Sequence, residues 1–549
     1  MQTMKRFLYN LRDSIMRHFR PIGQVFQKRE NSHSRKKGSV WMFCSVMSAV
    51  IQGLQPEFVQ VEVDVSNGLP GFCMVGYLAE EVKEAPGRVR TAIQNIGMII
   101  PPKKIMVNLS PAHVRKRGSG FDLPIAVSVM GALAMIKKEE IKDIMVIGEL
   151  GLDGEVRKVK GVLPILLAAK EEGYRKCMIP FANLTEGRLV DGLEVIGVKS
   201  LRDTVEYFRK GIVPNYEKAI KVQSRQERVY DFKDLKGQKV LRRVAEISVS
   251  GGHNLLMIGP PGSGKTLTAK CMPGIMPPLQ KEEAIELMKI YSIMGLLDEH
   301  STEIERRPFR EVHHTISKPA LLGGGIIPKP GELSLANGGI LFLDELAEFQ
   351  KTALETLRQP LEEKCVKLIR NSGTYVFPAD VILTCAMNAC PCGYYPDHKK
   401  CNCTPTQIQN YVGKISQAFL ERIDLCVETE RISYEELVEK KIKEESSLEI
   451  QKRICKVRKI QQERFRGSSV RVNAQMNVQQ MQKFCVLDLE TEKFLKQAYE
   501  KLGMSARVYH KILKVARTIA DMEEKKQIQI IHVKEALGYR MSDKIFWGE

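Results

Sequence analysis

A run of about eighteen consecutive apolar residues, the length a membrane-spanning helix requires, is found nowhere in this 549-residue chain. No membrane partner is expected. The nearest imitation, Val40 to Ile51 behind a basic leader, is interrupted by Ser45 and Ser48 and continues into FVQVEVDV, so it reads as a first core strand and not a signal peptide. Internal repeats and low-complexity tracts are also lacking, and 43% hydrophobic content excludes a disordered or fibrous chain. The thirteen cysteines fall singly apart from one cluster. That pattern argues against a disulfide framework and for reduced thiols in a cytoplasmic protein. Acidic residues are in deficit, 65 Asp and Glu against 84 Lys and Arg, for a formal charge of +19. Residues 1–41 hold ten Lys or Arg against Asp13 and Glu30, contributing +8 and leaving +11 for the rest. Such a balance suits a polyanion whose counterions are released on binding, or simply a solvated Lys-rich surface.

What the chain has is a phosphate loop. Gly259, Pro260, Pro261, Gly262, Ser263, Gly264, Lys265 and Thr266 fit G-x-x-x-x-G-K-[ST] without a mismatch. Glycines let backbone N–H groups close around phosphate oxygens, and a helix N-terminus adds positive field. Lys265 is expected to reach the outer phosphates of ATP and Thr266 to ligate Mg²⁺. Further on, GGILFLDE reads as a buried parallel strand delivering Asp344 to the metal, with Glu345 placed to polarise the attacking water. Asn388 ends the apolar run TCAMN, where a polar side chain suits the space between the acidic motif and the γ-phosphate. Arg422 in FLERIDL follows a helix, a placement suited to a neighbouring subunit's nucleotide, and Arg507 in SARVYHKILKVART begins a helix that could close over the same site. Either arginine alone reads more readily as a surface or salt-bridge residue than as a catalytic one. Their joint order favours the catalytic reading.

Residues 42–205 alternate short β-type runs (VQVEVDV, KKIMVNLS, IMVIGEL, KCMIP) with helical stretches, predicting an α/β module. Residues 206–234 lack apolar rhythm and are expected to be a linker. The nucleotide domain is placed at 235–430, and residues 431–549, with four glycines and no proline, predict an all-α lid. Residues 1–41 are expected to be a basic extension, disordered or helical, with Met42 as an alternative start.

Several longer stretches go beyond single motifs: RPFREVHHTISKPALLGGGIIPKPGELSLANGGILFLDELAEF, LETLRQPLEE, AMNACPCGYYPD and SARVYHKILKVARTIAD, with VEVDVSNGLPGFCMVGY and KRGSGFDLPIAV nearer the front. Through them the chain resembles the Mg-chelatase-like AAA+ ATPases of the ComM/YifB family over about residues 42–540. The resemblance implies an α/β fold with a P-loop AAA+ parallel-sheet core, a Lon-protease-like α/β front domain and a helical lid. It implies that Lys265 and Thr266 are Walker A, Asp344 and Glu345 Walker B, Asn388 sensor 1, Arg422 a trans arginine finger and Arg507 sensor 2. It further implies a hexameric ring that works as a branch-migration helicase on single-stranded or branched DNA during recombination or transformation. The chain departs from the family at Ala389, Gln417 and Ala418, the last two replacing a Gly-Pro pair ahead of the arginine. Their loss bears on how Arg422 is presented.

By the same resemblance two loops would point into the ring pore. Gly323 to Glu332 carries Lys329 at a Gly-Pro turn, and residues 364–378 read as two β runs around Asn371 and Gly373 with Lys367 and Arg370 alongside. Cations at hairpin tips track a phosphate backbone without reading bases, although each is equally an ordinary solvated cation. Cys390, Cys392, Cys401 and Cys403 suit tetrahedral Zn²⁺, with His398 a substitute ligand, or else form a reduced loop. GELGLDGEVRKVKGVLPILLAAKEEGYRKCMIP resembles part of the Lon proteolytic domain. The positions of that family's lysines fall on Leu163 and Ile165 here, so Ser119 lacks a base and no peptidase activity is expected. The basic run Arg115, Lys116, Arg117 reads as a solvated turn or a nucleic-acid contact. A chelatase-type subunit and a protein-remodelling chaperone or adaptor are the competing readings. The Lon-like front argues against the chelatase, whose motor subunits lack one.

Overall fold

The structure, a computed structural model, describes residues 42–214, 230–297, 306–371, 373–397, 399–431 and 444–540. The basic extension 1–41 and His398 lie outside them. Two sheets organise the chain. The first has seven strands, and its centre is a hairpin of Met42–Gln52 with Gln55–Ser66, in register from Met42 opposite Val65 to Gln52 opposite Gln55. Gly53, at φ +67°, supplies the positive φ that the tight turn needs. Along Gln55–Ser66 the buried positions are Val59, Val61, Val63 and Val65, the period-2 pattern of a strand with one face in the core. Gly71–Val75 and Lys104–Ser110 extend one side of the hairpin, and Ile144–Val146, Lys176–Pro180 and Glu194–Val198 the other. Asp122–Ala132 is buried on every face because it packs on both hairpin strands and on the helix Ala85–Asn95.

The second sheet has five parallel strands in the order Phe309–Val312, Ile340–Leu343, Ile382–Met387, Leu255–Ile258, Leu425–Glu428. Parallel strands covered on both faces read as continuous apolar runs, as LLMI and ILFL do. On one face Lys239–Gly251 and Lys265–Ile275 share a hydrophobic core with the C-terminal helices Ser447–Arg464, Leu489–Lys501, Ala506–Met522 and Ile530–Gly538. The C-terminal region is helical, as its composition predicts.

The segment expected to be a linker from residue 206 begins instead inside the helix Leu201–Lys210. A Ser200–Asp203 capping box starts that helix, Tyr207 and Phe208 bury its apolar stripe, and left-handed Gly211 ends it. At the other end of the expected linker, Phe232 is fully buried in the second core.

A helix with no counterpart in the sequence reading, Lys281–Met294, packs against Val162–Glu171 of the first sheet's module. Polar contacts pin the junction. Ser292 Oγ donates to Glu186 Oε2 at 2.5 Å, the Leu163 N–H donates to the same carboxylate oxygen at 3.0 Å, and Gly161 N–H donates to the Ser292 carbonyl at 3.0 Å.

Candidate nucleotide site

The loop Gly259–Gly264 leaves the C-terminal end of Leu255–Ile258 and enters the helix Lys265–Ile275. Gly262 and Gly264 take φ of +78° and +86°, and a Cβ on Gly259 would collide with the Thr429 hydroxyl and carbonyl. Those three positions demand glycine. Lys265 Nζ donates to the Gly259 and Pro260 carbonyls at 2.7 and 2.9 Å and lies 3.5 Å from Asn388 Oδ1. Burial draws its pKa down to about 8, with the Asp344 carboxylate opposing. Thr266 Oγ1 donates to Asp344 Oδ2 at 2.9 Å. Asp344 and Glu345 follow a strand buried at all four positions, so both carboxylates stand at the same sheet edge as the loop. A hydroxyl and a carboxylate in contact beside an anion cradle form an oxygen donor set of the kind Mg²⁺ takes with phosphates. The residues fit ATP and Mg²⁺.

Glu345 sits at φ +54°, a left-handed conformation uncommon outside glycine, and its Oε2 lies 3.6 Å from His314 Nδ1. His314 was missed by the sequence reading. Its signal was present in EVHHTISKP, which leaves the strand Phe309–Val312 next to the strand bearing Asp344. The Ser263–Thr429 hydroxyl pair, 2.7 Å apart, was missed as well.

The two arginines lie elsewhere. Arg422 follows the helical turn Gln417–Leu420 and precedes Leu425–Glu428, and its carbonyl accepts from Asn254 Nδ2 at 2.9 Å, just ahead of the strand that carries the phosphate loop. It stands at the N-terminal edge of the sheet, across the four-residue strand from its own loop. Its guanidinium is nearly buried, ion-paired to Glu362 at 2.6 Å and donating to the Ala418 carbonyl at 3.0 Å. Ser416 caps the turn where the family has Gly-Pro, so presentation of the arginine is achieved by a capped helical turn. Arg507, exposed in the first turn of Ala506–Met522, pairs with Glu421 at 2.6 Å, and that carboxylate also lies 3.7 Å from Arg422. Glu362 and Glu421 were not singled out in the sequence.

The Gly323–Gly324 and Lys329–Pro330 segments pair as a short antiparallel ribbon with Lys329 exposed. Beyond it Ile326 and Ile327 project into solvent, Ile326 at 88% exposure. The second hairpin, Cys365–Arg370 with Gly373–Pro378, closes at Arg370 opposite Gly373 and touches the first ribbon. Arg370 is at the tip. Lys367 is nearer the base and is ion-paired to Glu363 at 2.6 Å, so it is not a tip cation.

The four cysteine sulfurs Cys390, Cys392, Cys401 and Cys403 lie within 4.8 Å of one another. In the front module Leu163 and Ile165 are core residues, and the Ser119 hydroxyl donates to the Glu149 carboxylate. Lys116 is a correction to the solvated basic run: it is fully buried and donates to the Pro111 carbonyl.

Residues 231–437 match the family described as magnesium chelatase, subunit ChlI, residues 444–540 its C-terminal part, and residues 61–183 a family described as subunit ChlI of Mg-chelatase. The competence protein ComM of Haemophilus influenzae is 39% identical over 501 residues, covering 90% of this chain and 97% of that one. YifB of Salmonella typhimurium is 38% identical over 493 residues, 90% and 96% of the two chains. Lon protease 2 of Bacillus subtilis is similar over a shorter stretch, 28% identical across 119 residues, 22% of this chain and 21% of that one. With these relatives and this site, the chain belongs to the ComM/YifB family of magnesium-chelatase-like AAA+ ATPases.

Proposed function

We propose that the protein is an ATP-driven ring motor that moves on single-stranded or branched DNA, acting as a branch-migration helicase in recombination or transformation. In this reading Lys265 and the loop amides hold the phosphates, Thr266 and Asp344 hold Mg²⁺, Glu345 orients the attacking water and Asn388 senses the γ-phosphate. Arg422 and Arg507 serve a neighbouring subunit. The support for that assignment is their position: both stand at the sheet edge opposite their own phosphate loop and share Glu421. An arginine so placed reaches a triphosphate only when a second copy presents its loop to that edge, which is the logic of a closed ring, here a hexamer. Freeing Arg422 from Glu362 is then part of subunit engagement.

The single observation that carries the DNA assignment is that two loops, one with exposed Lys329 just below its Ile326–Ile327 tip and one tipped by Arg370, touch each other beside the ATPase sheet. Exposed cations on such loops contact a phosphate backbone without reading sequence. Because a family described as a chelatase subunit also matches residues 61–183, the front module no longer separates this reading from a chelatase-type ATPase. Both loops also lie inside the chelatase-family match over 231–437, so the basic charge of the chain is what favours the DNA reading. The front module, 42–205, is read as a non-catalytic scaffold docked through Glu186 and Ser292. In the same reading the four cysteines hold a structural Zn²⁺, and the protein is cytoplasmic. The test is ATPase rate with and without single-stranded or branched DNA, on wild type and on Lys329→Glu with Arg370→Glu. Stimulation by DNA that the double variant loses supports the assignment, and a rate indifferent to DNA in wild type overturns it.

A further inference from the structure

The cysteine cluster is built against the nucleotide site. Sulfur separations are 3.3 Å for Cys390–Cys392, 3.7 Å for Cys390–Cys401 and 3.5 Å for Cys392–Cys401. Four thiolates at about 2.3 Å from one Zn²⁺ stand about 3.8 Å apart at the corners of a tetrahedron. The set therefore accepts the ion with small adjustments. Soft thiolate donors with no carboxylate among them select Zn²⁺ over Mg²⁺.

The loop these cysteines close has no strand or helix of its own from Asn388 to Thr404 among the described residues. It is held by turns, such as Gly393 N–H to the Cys390 carbonyl at 3.0 Å and Cys401 N–H to the Asp397 carbonyl at 2.8 Å. Its first residue is Asn388, 3.5 Å from Lys265 Nζ. Five residues on, Gly393 at φ +82° lies so close to the phosphate loop that a Cβ would fall 2.9 Å from Pro261 Cδ and 3.7 Å from Asn388 Cγ. One short segment thus supplies the sensor and packs on Pro261 of the phosphate loop. Cross-linking a segment that has few internal bonds of its own removes the alternatives it could otherwise adopt.

We propose that Zn²⁺ on Cys390, Cys392, Cys401 and Cys403 sets nucleotide affinity, by holding Asn388 and Gly393 against Lys265 and Pro261. This rests on the zinc assignment made above and adds a regulatory coupling to it. Loss of the ion frees the segment, unpacks Pro261 and weakens nucleotide binding. Coupling is reciprocal: whatever factor Zn²⁺ adds to nucleotide affinity, nucleotide adds to Zn²⁺ affinity.

The experiment uses the full chain and reads binding, not turnover. Zinc is counted by atomic emission, and affinity for a fluorescent ADP analogue is measured as purified, after chelation, after Zn²⁺ is restored, and in Cys401→Ser with Cys403→Ser. Zinc release to a colorimetric chelator is timed with and without ADP, a readout that needs no variant to fold. Expected are one zinc per chain, nucleotide affinity lowered roughly tenfold on chelation and recovered on restoration, and zinc release slowed by ADP. Stoichiometric zinc with unchanged affinity and ADP-indifferent release overturns the coupling and leaves the zinc assignment standing. Absence of zinc from protein grown with it removes both.

Discussion

In the proposed mechanism Lys265 is the residue on which nucleotide binding turns, and its environment gives that binding an expected pH dependence. Burial draws the amine to about 8, Asp344 opposing, while two carbonyls of its own loop hold it in place. Phosphate prefers the protonated amine, so a bound nucleotide raises this pKa and binding takes up a proton wherever the free amine has lost one. Affinity should be flat below about pH 8 and fall above it by up to about tenfold per pH unit, as a fluorescent-nucleotide titration would read. An affinity independent of pH up to about 9.5 would remove Lys265 from the phosphates. Glu345 makes a separate prediction. Its backbone is left-handed and its carboxylate lies 3.6 Å from His314, and in the proposed mechanism it orients water and does not hold phosphate. Glu345→Gln should keep nucleotide affinity while turnover falls about 10²–10⁴-fold, and a parallel loss of affinity would contradict the role.

At the scale of elements, the lid helix Ala506–Met522 is bolted to the segment that bears Arg422. Lys511 Nζ lies 2.8 Å from Asp424 Oδ1 and donates to the Ile423 carbonyl at 2.9 Å, and Arg540 donates to the same carbonyl at 2.5 Å. Although burial pushes the other way, Lys511 and His253 hold the Asp424 carboxyl well below the usual range. Its contribution to stability is therefore present above the ordinary aspartate pKa and is lost as pH falls below it. Asp424→Asn leaves Lys511 buried without its counter-charge and should cost about 3–5 kcal/mol in denaturant unfolding. A loss within about 0.5 kcal/mol would mean the helix is held by apolar packing alone.

The contiguous motifs were legible because their chemistry needs neighbours in sequence: glycines must adjoin Lys265, and an apolar strand must end at Asp344. The strand Gln55–Ser66 was legible through the alternation of Val59, Val61, Val63 and Val65, whereas the turn at Gly53 that folds it back on Met42–Gln52 was not. Contacts made across the sheet were not. Nothing local marks Glu362 as the partner of Arg422, or Glu421 as common to both arginines, because those pairings follow from how helical turns end at one edge. Lys116 looked solvated between Arg115 and Arg117, yet a buried carbonyl acceptor outweighs its neighbours' polarity. The helix Lys281–Met294 was not recognised, and its role emerges only where Ser292 meets Glu186.

For the whole molecule, the placement of Arg422 away from its own phosphate loop predicts complementation. Arg422→Ala and Glu345→Gln should each be inactive alone and regain ATPase activity when mixed, since a junction can then combine an intact loop from one copy with an intact arginine from the other. Mixtures no more active than their parts would place the arginine's work within one chain. The central claim, that this ATPase is a motor on DNA, is tested most directly by strand displacement from a branched DNA substrate. Wild type with ATP and Mg²⁺ should displace the strand, and Glu345→Gln should bind the branch and leave it intact. Failure of an ATP-hydrolysing wild type to displace any strand would contradict the account.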